Sequence, residues 1–162
     1  MKQQTGNLVA YFDGACEPKN PGGNLGIGAT IRHAGKEIFR HSSFVKAAHG
    51  NTNNIAEYMA IEAIFDFMLQ NAWAGEEVTI YGDSKLVIEQ LFGRWTINRG
   101  FYVKYAVRCR QKLNSLRGRG LRITGILIRR EQNKYADELS KAELINHNVT
   151  FKIQPLTLNP NQ

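Results

Sequence analysis

Cysteine, proline and long apolar runs are what this 162-residue chain has least of: two Cys, four Pro and no membrane-length stretch. Cys16 and Cys109 make neither a disulfide framework nor a zinc site, which fits a reducing, cytoplasmic compartment. A membrane span needs about 18 apolar residues in succession, and none comes close. The start, MKQQTGNLVAYF, has one lysine and no long apolar stretch behind it, so it does not read as a secretory signal. Neither a GxSxG elbow nor a phosphate-cradling GxxxxGK loop is present. His33, His41, His49 and His147 show no ligand spacing, and the glycines from Gly22 to Gly28 lead into strand, not helix, which argues against a dinucleotide site. With 43% hydrophobic residues and no repeat or linker, the composition fits one folded domain, residues 1–162, with a core of about 7–146 and a tail of 147–162.

Acidic residues are also missing from one long segment. From Gln90 to Arg130 there is no Asp or Glu, yet the segment holds 11 of the 21 Lys and Arg. The remainder of the chain is net acidic, although the whole carries +7. Such asymmetry points to a polyanionic partner, and to nucleic acid over membrane because no apolar anchor accompanies it. A solvated helix face gives the same pattern.

Periodicity sets the order of elements. Asn7–Gly14 reads as a buried strand, and Leu25–Arg32 with Lys36–Val45 as a hairpin turning at His33-Ala34-Gly35. Helical spacing takes over from Thr52 to Gln70, strand returns over Glu76–Gly82, and Asp83–Phe92 reads as a short helix. Tyr102, Ala106, Cys109, Leu113 and Leu116 recur at helical spacing. Leu121–Ile128 is a fifth strand and Asn133–Ile145 a last helix. Antiparallel strands first, then strands alternating with helices, imply an α/β fold with a five-stranded mixed sheet flanked by helices. The alternating stretch Val149–Ile153 has no assigned place.

Three of the four aspartates stand at edges of apolar elements. Asp13 is expected at the carboxyl end of the first strand and Asp83 at the end of the fourth, where sites gather in open α/β sheets. Each also suits an ordinary structural role: turn chemistry for Asp13-Gly14, a helix cap for Asp83, and the helix dipole for Asp137. Glu57 lies on the stripe formed with Ile61, Ile64, Phe65 and Met68, where a carboxylate is costly unless paired, metal-bound or exposed at the stripe's end. Carboxylates gathered at one sheet edge repel each other. An all-oxygen set suits Mg²⁺ or Mn²⁺, and two such ions can clamp the attacking and leaving oxygens of a phosphodiester.

Tyr11-Phe12-Asp13-Gly14-Ala15, Asn20-Pro21-Gly22-Gly23, Thr52-Asn53-Asn54 with Ala56-Glu57, Asp83-Ser84, and Asn133 with Ala136-Asp137 resemble type 1 ribonuclease H, in order, from residue 7 to about 146. The resemblance implies a ribonuclease H-like fold. It implies Mg²⁺-dependent endonucleolytic cleavage of the RNA strand of RNA–DNA hybrids, leaving 5′-phosphate and 3′-hydroxyl ends. By the same resemblance Asp13, Glu57, Asp83 and Asp137 are the carboxylates that hold two Mg²⁺ ions, or Mn²⁺ in their place, with Asp13 bridging both. Asn20, Asn53, Asn54, Ser84 and Asn133 are then expected at the substrate groove, where amides read base edges and 2′-hydroxyls, and Thr52 at a phosphate of the DNA strand. Thr52-Asn53-Asn54 also fits a helix N-cap.

Two departures from the family matter. Ile126–Gln132 lacks the loop histidine of many relatives, and Arg129-Arg130-Glu131-Gln132-Asn133 resembles an RxxN variant, with Arg130 in the histidine's place. Gly93–Gly100 is too short for the inserted basic helix of some relatives. Trp95 there suits stacking on the DNA strand or ordinary packing, while Arg94, Arg99, Lys104 and Arg108 suit phosphates. The expected protein is a monomeric, cytoplasmic enzyme acting on RNA–DNA hybrids with no membrane partner. A non-cleaving hybrid-binding module and a resolvase- or transposase-type relative are the alternatives.

Overall fold

The computed structural model describes residues 7–152 apart from 72 and 74. Its elements run β1 (Leu8–Glu17), β2 (Asn24–His33), β3 (Lys36–Val45), α1 (Asn53–Gln70), β4 (Glu77–Gly82), α2 (Lys85–Leu91), α3 (Val103–Gly118), β5 (Arg122–Leu127), a 3₁₀ turn (Arg130–Gln132) and α4 (Lys134–Asn146). The five strands form one mixed sheet in the order β3-β2-β1-β4-β5, as expected. β1, β2 and β3 pair antiparallel, whereas β4 and β5 join parallel to β1.

The central strands are apolar because both faces are covered. Helix α4 packs on β2, β1 and β3, while α1 packs on β1 and β2 and is itself backed by α3. Being sandwiched explains why α1 buries Ile55, Ala56, Tyr58, Ala60, Ile61, Ile64, Phe65 and Met68, more than one stripe. The spacing read for α3 holds, since Ala106, Cys109, Leu113 and Leu116 are its buried residues. β3 is one edge of the sheet and carries Lys36, Glu37 and Arg40, charges that discourage further strand pairing.

Two details differ from the sequence reading. β1 continues through Ala15, Cys16 and Glu17, all buried against β2, so Asp13 lies inside the strand and not at its end. Val149–Lys152 forms no strand; the Lys152 N–H donates to the Glu17 carboxylate at 2.8 Å, and Ile153 lies outside the described residues. Among the described residues no helix is long and apolar enough to cross a membrane.

Candidate active site

Asp13 owes its position to a parting of strands. The parallel pairing of β1 with β4 ends at Tyr11↔Tyr81, two residues before Asp13, while β1 runs on against β2. Asp83 directly follows β4 at that fork.

Glycines on the two faces of the sheet then let helices close in. A Cβ on Gly14 would meet the Ala56 carbonyl carbon and the Glu57 nitrogen at 2.3 Å, so the start of α1 lies directly on β1. Gly28 faces Asp13 across the antiparallel register; a Cβ there would meet the Ser140 nitrogen at 2.4 Å and the Ala136 oxygen at 2.6 Å. Side chains alternate along a strand, so Gly14 admits α1 on one face and Gly28 admits α4 on the other. Each close approach delivers a carboxylate, Glu57 from α1 and Asp137 from α4, to the cleft where Asp13 stands.

That cleft has a volume of about 440 Å³ and is lined by Asp13, Glu57, Asp83 and Asp137, together with Asn20, Asn53, Arg130 and Lys141. The four carboxylates read from the sequence thus share one cavity. Asp13 and Asp137 are buried. Burial raises the Asp13 carboxyl well above its ordinary range; Asp83 and, more weakly, Glu57 and Asp137 add to the rise, against an opposing pull from Lys141. Burial also pushes Glu57 up to about 8; a Ser84 hydrogen bond and Lys141 restrain it, and Asp83 raises it further. Burial is the larger cause for both groups, and the mutual repulsion of neighbouring carboxylates adds to it.

The cluster suits hard divalent ions by donor type, since its acids offer only carboxylate oxygens and no histidine joins them. In the present arrangement no three such side chains among the described residues are gathered closely enough to hold an ion between them. Two cations stand at Asp137: Lys141 Nζ is 3.0 Å from its Oδ1, and the Arg130 guanidinium is 3.7 Å from the same oxygen.

Two residues expected in the groove lie beneath it. Asn133 is 1% exposed; its amide donates to the Phe12 carbonyl at 2.9 Å and to Asp83 Oδ1 at 3.2 Å, tying the start of α4 to β1 and holding the carboxylate. Ser84 is buried as the N-cap of α2, accepting from the Val87 N–H at 3.3 Å while it serves Glu57. The cap of α2 is therefore Ser84 and not Asp83. Both corrections have one cause: a polar side chain next to a buried carboxylate is drawn inward to satisfy it.

Asn20 and Asn53 do lie at the rim, and Thr52 and Asn54 flank Asn53 in the chain. Asn20 and Asn53 bond each other there, and Thr52 caps α1 by accepting from the Ile55 N–H at 3.3 Å. Between α2 and α3, residues 92–102 form a loop with no inserted helix. Buried Gln90 anchors it: Gln90 accepts from the Tyr58 hydroxyl at 2.6 Å and donates to the Thr96 carbonyl and the Tyr102 hydroxyl. The loop presents Arg94 and Arg99 to solvent, and Trp95 is 44% exposed, with Lys85 Nζ 5.5 Å from its ring centre. The basic segment is otherwise partly spent inside the fold. Arg108 pairs with Glu62, Lys112 with Glu62 and Asp66, and Arg110, Arg117 and Arg119 donate to backbone carbonyls. Arg108 thus ties α3 to α1.

Gly28, Gln90 and Lys141 also shape the site, though none carries a motif of its own. Gly26-x-Gly28 inside an apolar strand is a legible sign of close backbone approach, and Lys141 stands four residues after Asp137, one helical turn away.

A family model described as reverse transcriptase-like matches residues 11–143. The uncharacterised protein YpeP of Bacillus subtilis is 28% identical over 149 residues, 91% of this chain and 62% of its own length. The bifunctional protein Rv2228c of Mycobacterium tuberculosis is 34% identical over 122 residues, 75% of this chain but 31% of its own length. This chain therefore spans less than two thirds of either relative. Among solved structures, the N-terminal RNase H domain of Rv2228c superposes with a TM-score of 0.75 at 28% identity, covering 89% of this chain and 97% of that one. RNase H1 of Halobacterium salinarum gives 0.71 at 29%, covering 87% and 99%. LC11-RNase H1 in complex with an RNA/DNA hybrid gives 0.76 at 23%, covering 88% and 99%, a likeness of fold. With the match extending over most of the chain, and the ribonuclease H-like sheet and helices beneath it, this protein belongs to the reverse transcriptase-like family.

Proposed function

We propose that this chain is a ribonuclease H, an endonuclease that hydrolyses the RNA strand of RNA–DNA hybrids and leaves 5′-phosphate and 3′-hydroxyl ends. One observation carries the reading: four carboxylates from β1, α1, the end of β4 and α4 line a single cleft, with a polar rim beside it. A protein that only gripped hybrids would gain nothing from burying mutually repelling acids.

Asp13, Glu57, Asp83 and Asp137 would hold two Mg²⁺ ions, with Mn²⁺ as a substitute. Such ions, when bound, lower the pKa of a bound water and stabilise charge on the reacting phosphate. The chain's own residues supply the rest. Asn133 fixes Asp83, Ser84 fixes Glu57, and the Asn20–Asn53 pair shapes the rim at which the minor groove would lie. Amides at that rim would take hydrogen bonds from 2′-hydroxyls, which DNA lacks. Arg130, beside Asp137, would take the place of a loop histidine by orienting the scissile phosphate, as the RxxN reading implies.

Cleavage of a strand-labelled hybrid, with Mg²⁺ and with EDTA, tests the proposal. RNA-strand cuts that require the metal, abolished by Asp83→Asn with hybrid binding retained, are the expected result. Binding without cleavage by the wild type would make the chain a hybrid-binding module, and nicking of plain duplex DNA would favour a resolvase- or transposase-type activity.

A further inference from the structure

Lys141 is out of place for a lysine. It is 5% exposed, on a helix face turned toward the sheet, and it lines the cleft with all four carboxylates. Fully desolvating an ammonium is costly unless it is paired and its partners are close. The nearest partner is Asp137 Oδ1 at 3.0 Å, itself buried, and the positive charge also reaches Asp13 on β1 and Glu57 on α1. A lysine serving only to steady its own helix would need Asp137 alone.

The helix under it already lies directly against the sheet. The backbone of Ser140 lies so close over Gly26 and Gly28 that a Cβ on either would collide with it. The Lys141 side chain, four flexible methylenes ending in the charge, can turn away from Asp137 without moving that backbone.

We propose that Lys141 is a resident counter-ion of the cleft: its ammonium neutralises the Asp13–Asp137 side of the cluster and competes there with a divalent cation, so that loading this side requires Lys141 to release Asp137. Lys141 is thus a positioning residue that acts through Asp137 and sets how tightly the cleft takes Mg²⁺. The proposal rests on the reading of the four carboxylates as a divalent-ion site.

The test measures Mg²⁺ binding, without substrate, by calorimetry and by thermal unfolding in EDTA and across a Mg²⁺ series. Lys141→Met keeps most of the length of the side chain and removes the charge. It should lower Tm in EDTA, gain more Tm from Mg²⁺ than the wild type does, and tighten the Mg²⁺ Kd by about fivefold or more, as loss of one unit of like charge in a partly solvated site implies. Lys141→Arg, which keeps the charge, should stay within about twofold of the wild-type Kd on the same reasoning. The wild-type protein provides a readout independent of either variant: the Lys141 Nζ resonance in ¹⁵N-lysine NMR should move on Mg²⁺ addition. An unchanged Kd in Lys141→Met, or a Nζ signal that ignores Mg²⁺ while the protein binds it, would overturn the proposal and leave Lys141 a structural pair. Absence of any Mg²⁺ binding by the wild type would instead overturn the divalent-ion reading beneath it.

Discussion

Asn20 and Asn53, 33 positions apart, hold each other by two hydrogen bonds: the Asn20 amide donates to Asn53 Oδ1 at 2.7 Å, and the Asn53 N–H donates to Asn20 Oδ1 at 3.2 Å. The pair ties the turn after β1 to the first residue of α1 and leaves both amides at the rim of the carboxylate cleft. Both bonds are exposed, so their net contribution to folding is about 1 kcal/mol or less. Their value lies in fixing two amides before substrate arrives. Asn20→Ala should therefore raise KM for a hybrid severalfold with a Tm close to wild type. Steady-state kinetics beside a melting curve checks this, and an unaltered KM removes Asn20 from the substrate surface.

Gly28 is a site residue without a side chain. Any Cβ there must displace the α4 backbone at Ala136 and Ser140, the residues on either side of Asp137 along the helix. Gly28→Ala should cost about 1–3 kcal/mol through overpacking and reduce kcat strongly, because α4 carries Asp137 away as it yields. Gly118→Ala, at the end of α3 with nothing within 4 Å, is the contrasting substitution and should raise stability by about 0.5–1 kcal/mol. Chemical denaturation of both variants decides; a Gly28→Ala protein with normal stability and rate would mean that the close approach is not needed.

How much of this was legible follows from range. Elements with a strong period, such as α1, α3 and the β2–β3 hairpin, are set by local pattern and emerge within a residue or two of their expected bounds. The four acids stood out because a charge beside an apolar run is locally anomalous. Asn133 and Ser84 are not told apart by sequence because nothing local distinguishes a polar side chain that faces a groove from one that turns inward to a carboxylate 50 or 27 positions away. Lys141 was one more lysine until α4 was laid on Gly26 and Gly28. The basic segment likewise looked uniform, although its arginines divide between internal ties and the loop of residues 92–102.

That division is testable through salt and pH. Burial raises the Glu62 carboxyl, but hydrogen bonds and charge from Arg108 and Lys112 outweigh it and hold the group below its ordinary range. A depressed folded pKa adds stability above the unfolded value of about 4.3 and loses it as pH falls through the folded one. Glu62→Gln should thus lower stability at pH 7 by about 1–2 kcal/mol, with the gap to wild type closing below about pH 4. Thermal unfolding from pH 3 to 7 gives the answer; a gap that does not narrow in acid would place the loss in packing. Hybrid affinity should behave differently. Charge reversal at Arg94 and Arg99 should flatten its salt dependence by about 0.9 for each phosphate no longer neutralised, if the hybrid behaves as B-DNA does, while Lys112→Gln leaves the slope unchanged.

Arg130 and Arg129 are adjacent, equally basic and differently placed. Arg130 lines the carboxylate cleft with its guanidinium 3.7 Å from Asp137 Oδ1, while Arg129 caps the start of the 3₁₀ turn. A donor aimed at charge developing on a phosphate typically contributes about 10²-fold or more in kcat. Arg130→Ala should therefore lower kcat far more than it raises KM, and Arg130→Lys should recover part of the loss, since one ammonium replaces a planar fork of donors. Arg129→Ala should leave kcat near wild type. Because Arg130 also faces Asp137 alongside Lys141, a displaced carboxylate is a second route to a loss in Arg130→Ala. The Mg²⁺ Kd of the same variant separates the two: an unchanged Kd with a depressed kcat assigns the guanidinium to the substrate phosphate, and a Kd that moves with kcat assigns it to holding Asp137. If kcat falls by less than about threefold in both alanine variants, an effect no larger than a surface ion pair gives, this turn acts without an arginine.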